Sequence, residues 1–262
     1  MNSAQQQNSN LNFYQTIDQT VANIRPTVVP LYSRDEGAKI AGTGFGSAFI
    51  VLVEHQLYLV TAMHVLIEWH ELIRLNKLVV GFINDKPCAM HKLEFLTSEE
   101  FDLAVALLSD AWLDEANISG IRAIPLLDDV QGTSTELYLA MGCPSSKNII
   151  RPEYNKHNRT VHSLTVSPAP PPEASRIPHG LGFEYDPKRS VNSEGKNLGG
   201  HVDLHGMSGG PVFELVFSAR LGGTVPMLSG VLCEWHEKDR KIVASPLEAM
   251  LVLIAHFRAP PQ

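Results

Sequence analysis

From residue 27 to 108 the chain alternates short apolar runs with turn-forming residues. The runs are TVVPLYS (27–33), GSAFIVLV (46–53), QLYLVTA (56–62), LVVGFI (78–83), KLEFL (92–96) and LAVALL (103–108), with AIPLL (123–127) after them. A second series follows: ELYLAMG (136–142), VHSLTVS (161–167), PVFELVF (211–217), MLSGVLCE (227–234) and RKIVAS (240–245). Most are rich in branched and aromatic side chains, which suit a pleated, half-buried surface. No helix-period segment of 10–15 residues separates one run from the next, so a parallel sheet with crossover helices is disfavoured. Many short strands punctuated by turns predict an all-β fold, a barrel or a sandwich.

The two ends read differently. Tyr14, Ile17, Val21 and Ile24 recur at three and four, predicting a short amphipathic helix from Phe13 to Ile24 that stops at Arg25-Pro26. SPLEAMLVLIAHFRA (245–259) predicts a second helix, with Ser245 as its cap, Pro246 in the first turn and Glu248 at the positive end of the dipole. Residues 1–12 are polar and read as disordered, and residues 143–200 read largely as long surface loops. Asp128-Asp129 and Gly132 interrupt the strand pattern. The chain therefore divides into a helix plus first half (13–127) and a second half plus helix (128–262), forming one unit.

Composition narrows the class. Apolar residues make up 44% and charged ones 19%, enough to bury a core. The net charge of −7, with no block of like charges, argues against nucleic acid as a partner. No apolar stretch approaches the length of a membrane-spanning helix, and the polar start is not a signal peptide. Three widely spaced cysteines, Cys88, Cys143 and Cys233, do not make a disulfide framework, so a reducing, cytoplasmic setting is expected.

Candidate chemistry lies in three segments. Gly206-Met207-Ser208-Gly209-Gly210-Pro211 surrounds a serine with glycines, which let a backbone turn sharply and come close to a substrate. Leu59-Val60-Thr61-Ala62-Met63-His64 sets a histidine at the end of an apolar strand, a rigid mount for a general base. Phe101-Asp102-Leu103-Ala104-Val105 sets an acid at the mouth of another.

In that order, TAMHV, FDLAVALL and GMSGGPVF resemble the three signatures of trypsin-like peptidases, especially the bacterial high-temperature-requirement branch without its peptide-binding domain. LAMGCPSSKN (139–148) resembles a Gly-x-Pro turn of that family, and MLSGVLCEW (227–235) the strand beside its specificity pocket. The resemblance implies two packed antiparallel six-stranded barrels, chymotrypsin-like, with the active site between them. It further implies a serine endopeptidase acting through an acyl-enzyme, with Ser208 as nucleophile, His64 as base and Asp102 as its orienting acid. The backbone N–H groups of Gly206 and Ser208 would form the oxyanion hole. Val202, Asp203, His205, Cys233 and Glu234 would line the substrate pocket.

Met207 departs from the digestive enzymes, which carry an aspartate there, so activation by N-terminal trimming is not implied. His201, Asp203 and His205 fall on one side of an extended segment and suit zinc by type, but pocket lining is the preferred reading, and neither metal nor cofactor is expected. Asp203 either receives a basic substrate side chain or pairs with His201 or His205, leaving an apolar pocket on Val202. The expected partners are a protein or peptide substrate and a regulatory protein, because a cytoplasmic protease must be narrow in specificity or held latent. Two other readings stay open: a protease-shaped binding module that is catalytically silent, and an esterase using the same triad.

Overall fold

The computed structural model describes residues 17–35, 43–84, 86–126, 132–148, 150–151, 156–157, 160–185 and 204–257. Residues 17–24 form a helix (α1) that buries Val21 and Ile24, and a single 3-10 turn at Arg25–Thr27 ends it at the expected proline.

The first half comprises β1 (Val28–Asp35), β2 (Thr43–Val53), β3 (Gln56–Ala62), β4 (Lys77–Ile83), β5 (Lys86–Ala89), β6 (Phe95–Ser98), β7 (Leu103–Leu107) and β8 (Ile124–Pro125). Their hydrogen-bonded order is β5-β4-β1-β2-β3-β7-β6, with β8 joined in parallel to β2. That makes eight strands where six were expected, because the short β5 and the two-residue β8 add to the sheet. Helix α2 (Met63–Arg74) follows β3 directly, and α3 (Asp110–Glu115) follows β7. Neither helix was anticipated.

The second half holds β9 (Thr133–Gly142), a small hairpin of β10 (Ile150–Arg151) and β11 (Lys156–His157), β12 (His162–Pro168) and β13 (Leu181–Glu184). It continues with β14 (Pro211–Ser218), β15 (Gly223–His236), β16 (Lys241–Pro246) and α4 (Leu247–His256). Six of these strands close into a barrel in the order β12-β13-β16-β15-β14-β9. Ser245 does not cap α4. It belongs to β16, its hydroxyl donates to the Phe101 carbonyl, and Pro246 holds the cap position without a side-chain bond. Residues 1–12, expected to be disordered, and the division between 127 and 128 fall outside the described residues.

Period-two alternation sorts the side chains into three cores. Val29, Leu31, Ala48, Ile50, Leu59 and Ala104 face the interior of the first half, with Trp69 of α2 and Trp112 of α3. Ala140, Leu164, Phe183, Met207, Val212 and Ile242 fill the second barrel. The opposite faces of β2, β3 and β7, through Phe49, Val51, Val60 and Val105, meet Leu139, Met141, Phe213 and Val231, together with Met250 and Ile254 of α4. Strands buried on both faces read as unbroken apolar runs, which is why LAVALL shows no polar alternation. At about 1.5–3 kcal/mol for each large side chain fully buried, this middle core is what fixes one half against the other. No helix among the described residues is long and apolar enough to cross a membrane.

Candidate active site

Three elements converge at the edge of the middle core. Strand β3 ends at Ala62, and the chain turns at once into α2, so His64 stands in the first turn of a helix whose inner face buries Val65, Leu66 and Trp69. Asp102 closes the turn between β6 and β7 with φ of 49°. Left-handed backbone is tolerated by aspartate better than by most residues.

Asp102 makes three bonds to the start of α2. Its carbonyl accepts the Met63 N–H at 2.9 Å, and its Oδ1 accepts the His64 N–H at 2.8 Å. Its Oδ2 lies 2.6 Å from His64 Nδ1. The acid therefore caps the helix from another strand, where the helix dipole favours negative charge. An ionised carboxylate only accepts, so Nδ1 carries the proton and Nε2 keeps a free lone pair. The Asp102 side chain is 19% exposed against 45% for His64, which leaves the ring open to solvent on its far side.

Ser208 sits in the loop before β14, and that loop is pinned at successive carbonyls. The His205 carbonyl accepts from Ser145 N–H at 2.8 Å, and the Gly206 carbonyl from Ser47 Oγ at 2.7 Å. The Met207 carbonyl accepts from Gly210 N–H at 3.1 Å, and the Ser208 carbonyl from Ser47 N–H at 2.9 Å. In a trans peptide the N–H points opposite to the carbonyl. Holding the carbonyls of His205 and Met207 therefore sets the directions of the Gly206 and Ser208 N–H groups. Neither of these N–H groups has an acceptor among the described residues.

Gly206 and Gly209 have φ of 87° and 84°, and a Cβ on either would strike backbone or a buried hydroxyl of the packed loop. Met207 is fully buried in the second barrel, so apolar packing anchors the loop where digestive enzymes have an aspartate.

Cys233 lies between the acid and the serine. Its carbonyl accepts from Ser208 Oγ at 3.4 Å, and its Sγ lies 3.5 Å from the Asp102 carbonyl and 3.4 Å from Ser245 Oγ. The Ser208 hydroxyl is therefore directed to Cys233 rather than bonded to His64 Nε2. Burial, and then the charge of Asp102, push the Cys233 thiol far up, so it stays protonated.

A cleft of about 530 Å³ opens beside His64 and Asp102, with Glu234, Trp235, His236 and Arg176 among its walls. Glu234 Oε1 accepts the Arg176 N–H at 3.1 Å, and Oε2 lies 2.8 Å from His236 Nε2. Burial alone would raise the Glu234 carboxyl, but hydrogen bonds from His236, Arg176 and Ser175 outweigh it and hold the group below the usual carboxylate range. His205 is exposed in the serine loop. Val202 and Asp203, with His201, and with them the two readings of Asp203 and the zinc arrangement, lie outside the described residues.

The sequence reading passed over Ser47, Ser145 and Asn148. The serine in GFGSAF was a readable signal, being a hydroxyl in an otherwise apolar strand.

No family model matches the chain, and no curated protein matches it. Solved structures do. A serine endoprotease from Yersinia pestis is similar at 17% identity and a TM-score of 0.50, over 91% of this chain. The chain spans 65% of the length of that structure. The Rv3671c protease from M. tuberculosis in its active form is similar at 14% identity and a TM-score of 0.48, over 92% of this chain and 85% of that one. An inactive-form mutant of Rv3671c gives 14% identity and a TM-score of 0.45, over 92% of both chains. With its closed six-stranded barrel packed on a second, mainly antiparallel sheet, the chain has the chymotrypsin-like double-barrel fold of the trypsin-like serine peptidases.

Proposed function

We propose that the chain is a serine endopeptidase that cleaves peptide bonds through an acyl-enzyme, with Ser208, His64 and Asp102 as its triad. The observation that carries this reading is the Asp102–His64 pair, which turns Nε2 outward, beside a loop whose Gly206 and Ser208 N–H groups are oriented and have no acceptor among the described residues. The Ser208 hydroxyl leaves its long bond to the Cys233 carbonyl, gives its proton to His64 Nε2 and attacks the substrate carbonyl carbon. The resulting oxyanion is held by the N–H groups of Gly206 and Ser208. His64 returns the proton to the departing amine while Asp102 stabilises the imidazolium, and water then releases the acyl group by the same route.

The cleft between Trp235 and the 174–177 segment receives the chain of a protein or peptide substrate, with Glu234 holding one wall. Specificity is narrow, or a protein partner releases activity; the Ser208 hydroxyl lying on Cys233 rather than His64 supports control of this kind. All three cysteines are buried and none is in a disulfide, which suits a reducing, cytoplasmic compartment.

Labelling by a fluorophosphonate probe, and its loss in Ser208→Ala, tests the reading. In other serine proteases removal of the serine or the histidine costs on the order of 10⁶-fold in kcat. Ser208→Ala and His64→Ala are expected to fold normally and to lose turnover on that scale. Peptide hydrolysis by purified Ser208→Ala above background would defeat the assignment. Labelling with ester but no peptide turnover would make the protein an esterase, and no labelling at all would make it a binding module.

A further inference from the structure

Ser47 is fully buried on β2, in the first half of the molecule, yet its bonds run to the serine loop of the second. The pairing of β2 with β3 ends at Phe49 and Val60. Beyond that point Ser47 keeps Pro30 of β1 on one side but has no β3 partner on the other, and its backbone groups turn elsewhere. Its N–H donates to the Ser208 carbonyl at 2.9 Å, and its carbonyl accepts from Thr61 Oγ1 at 2.7 Å. Thr61 lies three residues before His64, so one residue touches the mounts of both the base and the nucleophile.

The hydroxyl does something the backbone cannot. It accepts the Cys143 N–H at 2.8 Å and donates to the Gly206 carbonyl at 2.7 Å. With the Cys143 N–H on its lone pair, its own proton is left for the Gly206 carbonyl. The peptide from Gly206 to Met207 is thereby held by a donor that is itself held. The preceding peptide is held by the Ser145 N–H on the His205 carbonyl. Gly206 has φ of 87° and no side chain to resist rotation, so these two carbonyl anchors decide which way its N–H faces.

We infer that the Ser47 hydroxyl is a positioning residue for the serine loop: it holds the peptide between Gly206 and Met207, which links the two oxyanion-binding peptides, acting together with the Ser145 N–H on the peptide before it. The inference rests on the protease reading for its catalytic consequence, but its structural content, the orientation of the peptides around Gly206, can be measured without it.

Ser47→Ala leaves the Gly206 carbonyl and the Cys143 N–H facing each other across a dry gap, and the loop rotates to find partners. Removing one oxyanion donor outright costs about 10²–10³-fold in kcat. Ser47→Ala, which misdirects a donor, is expected to lower kcat about 10²-fold while KM stays within about threefold. Ser145→Pro attacks the other anchor. Position 145 opens a 3-10 turn, where proline is tolerated, and Pro144 already has φ of −55° and ψ of 131°, suited to a following proline. It replaces the N–H with a ring carbon directed at the His205 carbonyl, and the same selective loss in kcat is expected. The two losses combined should be smaller than their product, because the two anchors hold the adjoining peptides on either side of Gly206.

Crystal structures of both variants supply the second readout, with the peptides around Gly206 expected to be rotated. Unchanged kcat in folded Ser47→Ala, or a loss confined to KM, overturns the inference. So does a crystal structure in which the Gly206 and Ser208 N–H directions are retained. Should the unmodified protein show no Ser208-dependent turnover, the protease reading fails. The positioning claim then stands or falls on the loop conformation alone.

Discussion

Asp102 serves one carboxylate to two neighbours, a ring nitrogen and a helix N-terminus, and this can be taken apart by substitution. Asp102→Asn keeps an oxygen for the His64 N–H and keeps a residue type at ease with positive φ. What it loses is the acceptor for Nδ1–H. An amide N–H₂ turned to the ring selects the tautomer in which Nε2 carries the proton and can no longer act as a base. Loss of about 10⁴-fold in kcat is expected, the magnitude known for this change in another serine protease, with little change in melting temperature. Asp102→Ala removes the cap as well. It is expected to destabilise the fold by about 1 kcal/mol on top of the catalytic loss, so paired melting curves separate the two duties. Three signature residues were legible because the chemistry demands those types in those settings. Ser47 stood out as a hydroxyl in an apolar strand, but its role was not legible, because the sequence cannot say that a strand residue will meet a loop about 160 positions away.

The same lesson governs the elements. The strands that carry the site were readable from apolar runs, since each is packed on one or both faces. Helix α2 was not, although Val65, Leu66 and Trp69 fall at helical spacing. It has no serine, threonine, asparagine or aspartate at its own start, and its cap arrives from Asp102. Strand β5, written KPCA, carries a proline and only four residues, and β13 is as short, so neither shows a period. Ser245 looked like a cap because it precedes a helix, but β16 runs on through it. The loop 143–148 read as irregular, and its order comes from Asn148, which is fully buried. Its Nδ2 donates to the carbonyls of Pro144 and Thr160, and its Oδ1 accepts from Tyr32 and from the Thr160 N–H. Asn148→Ala strands several of these groups away from water. It is expected to cost on the order of 3 kcal/mol in chemical denaturation, with Asn148→Asp recovering only the acceptor share.

For the whole molecule, acid is the expected weak point. His162 on β12 has its Nε2 buried and without a hydrogen-bond partner among the described residues. Burial, then Lys147 and Arg25, hold it below the ordinary histidine value of 6.5. The unfolded chain therefore binds more protons in the window just under that value, and stability falls as the pH drops through it. Glu234 adds a second loss at lower pH. Its carboxyl is held below the ordinary 4.5, so its contribution is present above that value and disappears as the pH falls through the lower folded one. Melting temperatures at about pH 7.5 and about pH 5.5 are expected to differ less in His162→Gln than in the unmodified chain. An equal difference in both would remove His162 from the account.

The bond between Ser47 and the Gly206 carbonyl joins residues 159 positions apart, and this has a consequence in time. A ribosome adds about 5–20 residues each second, so the first partner waits roughly 10–30 s for the second to be made. Within that interval His64 and Asp102 are made, but Ser208, the proposed nucleophile, is not. On the protease reading, a nascent chain carries no working blade until its second half has been made. The long span along the chain is a delay fuse, set by the order in which the two halves are written.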